Sequence, residues 1–428
     1  MKRNVPNGKD LFAVSSSPIP ESSAALPRSR RLWTAGVLGS LSAFGPLSLD
    51  MYLPALPKLA EDLHASTSLA QLSLTACMIG LAVGQLFAGP VSDVRGRRGP
   101  LLVGLLLYAA ASLLCAFVPS IGAFIALRFL QGLAGSAGIV VSRAVVRDLY
   151  SGTELTKFFA QLMLVNGIAP IAAPIVGGQL LHVTDWHGVF LVLGAIGLAM
   201  FLAVLLGLPE TLPPSRRSQA GIGNTLRTFR RLLADRSFMG YALAQGFVMA
   251  AMFAYISGSP FVLQNVYGVS PQVFSLCFAV NGLGIICASQ LAGRLAGRVD
   301  EAKLLAAGLG LAAAGGVALL AMLLAHAPLG FVLPPLFFVV ASVGIVSTMG
   351  FSFAMRSQGS NAGSASALQG LMAFIFGSVV APFVGIAGSD TAVPMGILIA
   401  ALDVGAVLIY ALMVRRKKSH KKLYFDSK

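Results

Sequence analysis

Three ionisable side chains fall deep inside apolar runs: Asp50, Arg128 and Asp403. Arg128 sits in Leu127-Arg128-Phe129-Leu130-Gln131-Gly132, roughly 10 Å into its run at 1.5 Å per residue. Burying an arginine in hydrocarbon costs at least about 2.5–3.5 kcal/mol on insertion scales. Arg128 therefore snorkels to an interface, faces a cavity or meets a carboxylate. Asp50 lies at a similar depth from the same face, so the two meet if the first and fourth apolar runs are neighbours. Low dielectric favours a neutral carboxyl, and a nearby guanidinium favours the charged form. An acid held between these influences can take a proton from one side and release it to the other. The bland alternative is a fixed ion pair. Asp403 has no evident partner and reads as a neutral or structural acid.

Two further strings carry unusual residue types. Gly89-Pro90-Val91-Ser92-Asp93-Val94-Arg95-Gly96-Arg97-Arg98 places one acid among three arginines, with glycine at both ends of a turn. Glycine permits close packing and chain reversal, and the Asp can pair with Arg or face a helix N-terminus in contacts that break when helices move. Asn166-Gly167-Ile168-Ala169-Pro170, followed by Pro174, Gly177 and Gly178, predicts a kinked, closely packed helix. Enzyme chemistry finds little support. His64, His182, His187, His326 and His420 lie in loops, span ends or a tail, and no span holds an HExxH or GxSxG string. Cys77, Cys115, Cys277 and Cys287 form no CxxC pair and read as small apolar residues. Neither a metal nor a cofactor is called for.

The elements that position these groups follow from composition. Only 11% of the 428 residues are charged against 56% hydrophobic, where a soluble domain carries about 25% charged. The mean hydropathy is +0.81. So few charges cannot cover a water-soluble surface, so lipid is the solvent. Twelve apolar runs can each cross roughly 30 Å of hydrocarbon: 32–56, 69–90, 99–118, 121–146, 155–182, 186–208, 238–264, 271–293, 303–325, 329–355, 364–387 and 392–414. The cut at His326-Ala327-Pro328 is the weakest.

Charge distribution sets the orientation. With the N-terminus inside, the outer loops contain a single Lys or Arg, Lys58, and Arg128 lies within a span. All the other lysines and arginines fall in tails, inner loops or inner span ends, which predicts cytoplasmic termini. The net charge of +15 thus reflects cytoplasmic loops and not nucleic-acid binding. Residues 1–31 read as a disordered cytoplasmic tail and 415–428 as a basic one. The 209–237 loop divides a six-span half, 32–208, from a second, 238–414. Gly293-Arg294-Leu295-Ala296-Gly297-Arg298-Val299 after the eighth run weakly repeats the string at 89–95, with Gly297 where the Asp would stand. Two similar halves about a central loop predict an all-α transporter with sites at their interface.

These strings resemble a known family. The 89–98 run is similar to the G-x-x-x-D-x-x-G-R-R/K signature of the major facilitator superfamily, at Gly89, Asp93, Gly96, Arg97 and Arg98. The Arg128 string resembles the R-F/L-x-Q-G motif of its proton-coupled members. The 166–178 run resembles the antiporter motif of the fifth span, with Ala173 where Gly is usual. Asp50-Met51-Tyr52-Leu53-Pro54-Ala55-Leu56-Pro57, the run 255–264 and the run 363–368 resemble the Bcr/CflA drug-efflux family, over about residues 35 to 410. The resemblance implies a monomeric, multi-pass protein of the bacterial inner membrane. It implies exchange of protons for small amphipathic drugs such as bicyclomycin, chloramphenicol or sulfonamides by alternating access. The alternative on this fold is a proton-coupled importer or facilitator of a small metabolite. An apolar and aromatic cavity wall with a few polar anchors is expected from Tyr52, Met163, Asn166, Met249, Phe253, Tyr255 and Gln264.

Overall fold

The computed structural model describes residues 28–150, 152–217, 223–356, 358 and 362–415. Both tails assigned from the sequence lie almost wholly outside them. Ten described helices are long and apolar enough to cross a membrane. They are α4 (Thr67–Arg95), α5 (Arg98–Cys115), α6 (Ile121–Leu149), α8 (Trp186–Gly207), α10 (Arg236–Phe261), α11 (Pro271–Leu295), α12 (Glu301–Leu324), α13 (Leu329–Met355), α14 (Ala362–Val384) and α15 (Val393–Ile409). The fifth apolar run forms α7 (Gly152–Leu180), whose stretch Leu164–Leu180 is apolar.

The first run, expected as one span over 32–56, is broken. It forms α1 (Arg28–Ser42) and α2 (Phe44–Asp50), then a 3-10 turn at Leu53–Ala55 and the short α3 (Leu56–Asp62). Pro54 and Pro57 explain the second break, since neither can donate to a continuing helix. The Asp50 carboxyl thus sits at a helix end. The 209–237 loop also holds more structure than expected. It contains α9 (Gly223–Ala234), whose Phe229 and Leu232 bury against α10 and α14. The weak cut near His326 is real: α12 stops at Leu324, His326 takes φ 49°, and α13 begins at Leu329.

Span starts are fixed by local chemistry. The side chains of Ser66, Ser120, Asp185, Asp235, Ser270 and Asp300 accept amide hydrogens from the first turns of α4, α6, α8, α10, α11 and α12. Span packing rests on small residues. A Cβ at Gly80 would stand 2.2 Å from the Phe129 carbonyl oxygen, and one at Gly132 would stand 2.1 Å from that of Cys77. Helices α4 and α6 therefore touch backbone to backbone, as lipid-solvated helices do where glycines face each other. The same device joins α11 and α13, where a Cβ at Gly344 would meet the Ile285 carbonyl at 2.2 Å.

Among the described residues, hydrogen bonds between the helices up to α8 and those from α10 onward lie towards one end of the bundle, the end expected to face outward. Gln71 Nε2 donates to the Ser257 carbonyl at 3.1 Å, Thr75 Oγ1 to that of Ser378 at 3.3 Å, and Gln264 Nε2 to that of Pro54 at 3.1 Å. Ser275 Oγ donates to the Pro174 carbonyl at 2.8 Å and Gln272 Nε2 to that of Gly178 at 3.0 Å. Open space between the two groups lies instead at the inner ends of α4, α6 and α14. The bundle is thus closed at the end that the charge distribution expects to face outward and open at the end expected to face the cytoplasm.

Candidate functional site

Arg128 is fully buried. Helices α2 and α6 are neighbours, as the meeting of Asp50 and Arg128 requires. The guanidinium nevertheless makes no ion pair with Asp50 among the described residues. Its Nη2 donates to the Ser48 carbonyl at 2.6 Å, and Nη1 donates to Gln131 Oε1 one turn along α6. It lies 4.4 Å from the Tyr52 ring centroid and 5.5 Å from that of Phe190, positions in which ring quadrupoles attract a cation. Gln131 Nε2 donates on to Ser112 Oγ at 2.7 Å, and Ser48 Oγ bonds the Tyr108 hydroxyl at 2.9 Å. Carbonyl, amide and aromatic groups thus hold the charge in place of a carboxylate.

Asp50 is 6% exposed, and no described residue hydrogen-bonds its carboxyl. It sits two residues beyond the carbonyl that Arg128 grips. Any shift of α2 against α6 therefore alters what the carboxyl meets. Sequence reasoning passed over Ser48, Tyr108 and Ser112. The Arg128–Gln131 spacing of three residues was visible, and such spacing places two side chains on one helix face.

The 89–98 string is not a loop throughout. Helix α4 continues through Pro90 to Arg95, and the reversal falls on Gly96 alone, at φ 94°. Only glycine adopts that conformation without strain. Gly89 is not at a close contact, because a Cβ there would stand 3.7 Å from Val140. Arg97 is the hub of the string. Its Nη1 donates to Asp93 Oδ1 at 2.5 Å and to Ser92 Oγ at 2.9 Å, and its Nε donates to Asp148 Oδ2 at 2.9 Å. Thr211 Oγ1 also donates to Asp148, at 3.2 Å. Arg98 Nη2 donates to the Leu205 carbonyl at 2.6 Å. Every one of these partners precedes residue 212, so among the described residues the string ties α4, α6 and α8 together and reaches no helix from α10 onward.

Glu210 completes the cluster by capping α5. It accepts from the Arg97 amide at 2.8 Å, the Arg98 amide at 3.1 Å and the Leu212 amide at 2.9 Å. Partial burial pushes its carboxyl up, but amide donation from Leu212, Arg97, Arg98 and Thr211 outweighs this and holds it below the usual glutamate value. Asp148 and Glu210 were overlooked in the sequence. Their signal was an acid on a face otherwise populated by arginine. Replacing Glu210 by Ala is expected to cost about 0.5–1 kcal/mol, as for an exposed helix cap, read as a lower melting temperature at pH 7. A depressed acid contributes above its unfolded value near 4.3 and loses that contribution as pH falls through the folded value. The gap between wild type and variant therefore closes below about pH 4. A gap that is constant from pH 7 to 3.5 contradicts the capping role.

The 166–178 run is where α7 meets both groups. A Cβ at Gly177 would stand 1.8 Å from the Met51 carbonyl oxygen, and one at Gly178 would stand 2.4 Å from Ser275 Oγ. Pro170 and Pro174 lie within the helix. The Pro174 carbonyl accepts a hydrogen bond from Ser275 Oγ of α11 at 2.8 Å. Asn166 turns inward on its own helix, donating to the Leu162 carbonyl at 2.8 Å. Gly167 has room, with Ile286 at 4.0 Å from a Cβ.

The expected cavity wall is mostly consumed by packing. Tyr52 is fully buried under Arg128, its hydroxyl bonded to Ser73 at 2.9 Å. Tyr255 is fully buried, stacked on Phe278 and bonded by Asn281 at 2.9 Å. Gln264 belongs to the outer seal, and Phe253 packs beside Phe374. Met249 lies against Ser347, and the Met163 side chain is outside the described residues. Outer closure explains the pattern, because it collapses the space that these residues would otherwise line. Asp403 is fully buried between α15 and α12, both oxygens without a hydrogen bond, opposite Gly316.

Comparison with known proteins places this architecture. Residues 38–382 match the family model of the Major Facilitator Superfamily. An uncharacterised MFS-type transporter, YdgK of Bacillus subtilis, is 48% identical over 90% of this chain and 96% of its own. A bicyclomycin resistance protein homolog of Haemophilus influenzae is 34% identical over 89% and 95%. A chloramphenicol resistance protein of Pseudomonas aeruginosa is 29% identical over 91% and 92%. Among solved structures, the inward-facing, occupied bacterial homolog of the lysosomal transporter Spinster superposes with a TM-score of 0.72 at 16% identity, over 91% of this chain and 98% of that one. The xylose transporter XylE from E. coli gives 0.68 at 16%, over 90% and 98%. The fold and site thus define a membrane transporter and not an enzyme. The chain belongs to the major facilitator superfamily, in its bicyclomycin and chloramphenicol resistance-type (Bcr/CflA) drug:proton antiporter family. It is a multi-pass protein of the bacterial inner membrane.

Proposed function

We propose that this chain exports small amphipathic antibiotics of the bicyclomycin, chloramphenicol or sulfonamide kind in exchange for protons. The observation that carries this reading is Asp50, a nearly inaccessible carboxyl without a described hydrogen-bond partner at a helix break. Burying an unpaired charge is costly, so such a group changes its protonation as its surroundings change. The names of the relatives support drug export.

The two six-span halves, 32–208 and 238–414, joined by the 209–237 linker, rock around a central cavity in alternating access, and the transporter works as a monomer. With the inner side open, drug enters from the cytoplasm or inner leaflet and displaces the proton of Asp50 to the cytoplasm. Closure of the inner side and opening of the outer side expose Asp50 to the periplasm, where drug leaves and the carboxylate takes up a new proton. Drug and proton favour different protonation states of one carboxyl, so each displaces the other. Arg128, fixed by Ser48, Gln131 and the two aromatic rings, holds the positive charge that stabilises the ionised acid when α2 moves. Asp93, Arg97 and Arg98 stabilise the inner end of the first half. Asp93 is half-exposed, which leaves it able to meet the second half when the inner side closes.

Cells overexpressing the protein are expected to tolerate several-fold more chloramphenicol and to expel preloaded drug. A protonophore is expected to abolish the expulsion. Expulsion that survives the protonophore, or drug accumulation above that of empty cells, overturns the reading.

A further inference from the structure

The inner cavity carries a charge that the coupling site does not use. It occupies about 380 Å³ between α4, α6 and α14. Arg143 and Arg147 face it from successive turns of α6, and Gln85 faces it from α4. Neither arginine forms a hydrogen bond or ion pair among the described residues, although Arg143 is partly buried. No acid among the described residues lines the cavity with them. The wall opposite, on α14, consists of Ser366, Ala367, Gly370, Leu371 and Phe374. The nearest acid in sequence, Asp148, is already held by Arg97 and Thr211. Fifteen residues separate Arg143 from Arg128, about 22 Å along the helix at 1.5 Å per residue, so this is a second site and not an extension of the first.

An uncompensated guanidinium in a cleft with partly apolar walls selects for negative charge, because field lines are focused there. Arginines at i and i+4 present two donor forks to one oxyanion group. We propose that Arg143 and Arg147 form an anion-binding entrance on the cytoplasmic side, where cargo bearing a carboxylate, sulfonate or sulfonamide anion docks its negative group. Resting on the export reading above, this assigns the transporter a neutral-to-anionic cargo class and disfavours lipophilic cations. The apolar wall from Leu371 and Phe374 accepts the body of an amphipathic molecule while Ser366 and Gln85 satisfy its polar edges.

The test uses purified full-length protein in phosphatidylcholine nanodiscs, with carboxyfluorescein as anionic probe and chloramphenicol as neutral probe. Wild type is expected to bind carboxyfluorescein, and Arg143→Gln to lower the ratio of anionic to neutral affinity by about tenfold or more, the value of one charged hydrogen bond. Arg143→Lys is expected to restore most of that ratio, and Arg147→Gln to lower it less because Arg147 is exposed. No carboxyfluorescein binding by wild type, or an unchanged ratio in Arg143→Gln, overturns the proposal. So does loss of both probes in proportion, which marks Arg143 as a gate contact. Phosphatidylglycerol that displaces the probe from the nanodisc protein also overturns it, since the site is then occupied by lipid headgroups. Failure of chloramphenicol export in cells sinks the export reading alone, because the affinity ratio is measured without transport.

Discussion

Asp50→Asn abolishes drug-driven proton flux while leaving the protein folded and inserted. In everted vesicles, addition of chloramphenicol to wild type is expected to dissipate an imposed pH gradient, and the variant is expected to show no response above background. The magnitude follows from the role: a carrier that cannot release a proton couples nothing, so the loss is complete and not graded. Folding survives because Asn keeps the size of Asp and because no described hydrogen bond to the carboxyl is lost. Removal of a buried charge that has no partner is neutral or stabilising, in contrast to removal of one member of a pair. Downhill drug equilibration is expected to continue in the variant, since the helices still rock. A variant that still collapses the gradient on drug addition would remove Asp50 from the mechanism. A variant that fails to insert would instead show that the carboxyl has a structural partner in another conformation.

The second large effect concerns the outer seal. Gly177→Ala places a methyl group 1.8 Å from the Met51 carbonyl oxygen, a backbone atom at the break after α2 that no rotamer change can move aside. Overpacking of this kind costs about 1–3 kcal/mol and occasionally more. The strain is relieved by moving α7 away from the residues after α2, and that movement opens the outer side. Two readouts follow: a melting temperature several degrees lower, and faster labelling from outside by an impermeant maleimide at Gln264→Cys, a position that is partly buried at the closed outer end. Gly167→Ala lies ten residues earlier on the same helix, where a Cβ meets only Ile286 at 4.0 Å. It is expected to leave both readouts near wild type. Equal behaviour of the two alanine variants would mean that the close approach at Gly177 is not a constraint.

The two predictions bear on one cycle from opposite ends. Asp50 lies at the end of α2, and Met51, the next residue, is the contact of Gly177. A glycine that permits outer closure and an acid that responds to closure are thus adjacent through one peptide. Proton occupancy and outer-gate geometry are linked by this proximity, without a long relay between them.

Charge, hydropathy and residue pattern alone determined a good deal. Eleven per cent charged residues in 428 exclude a soluble globule, and the separation of Lys58 from all the inner cations sets an orientation, because both are consequences of solvation that act on composition and order. The Arg128 string and the glycines at 96, 177 and 178 were also legible, since burial of a charge and backbone crowding tolerate few residue types. What only the tertiary structure decided is which groups meet. Arg128 and Asp50 were chosen by depth, yet depth gives no rotation about the helix axis, and the guanidinium turned to Ser48, Gln131 and two rings. The chemistry of Tyr52, Tyr255 and Gln264 suits a cavity wall, but outer closure packs them away, and closure is a property of how the helices lean together. Glu210 caps α5 across more than a hundred residues of sequence, a contact that no local pattern encodes. Solvent preference is written residue by residue; partnership depends on the angle and lean of whole helices, which only the folded bundle fixes.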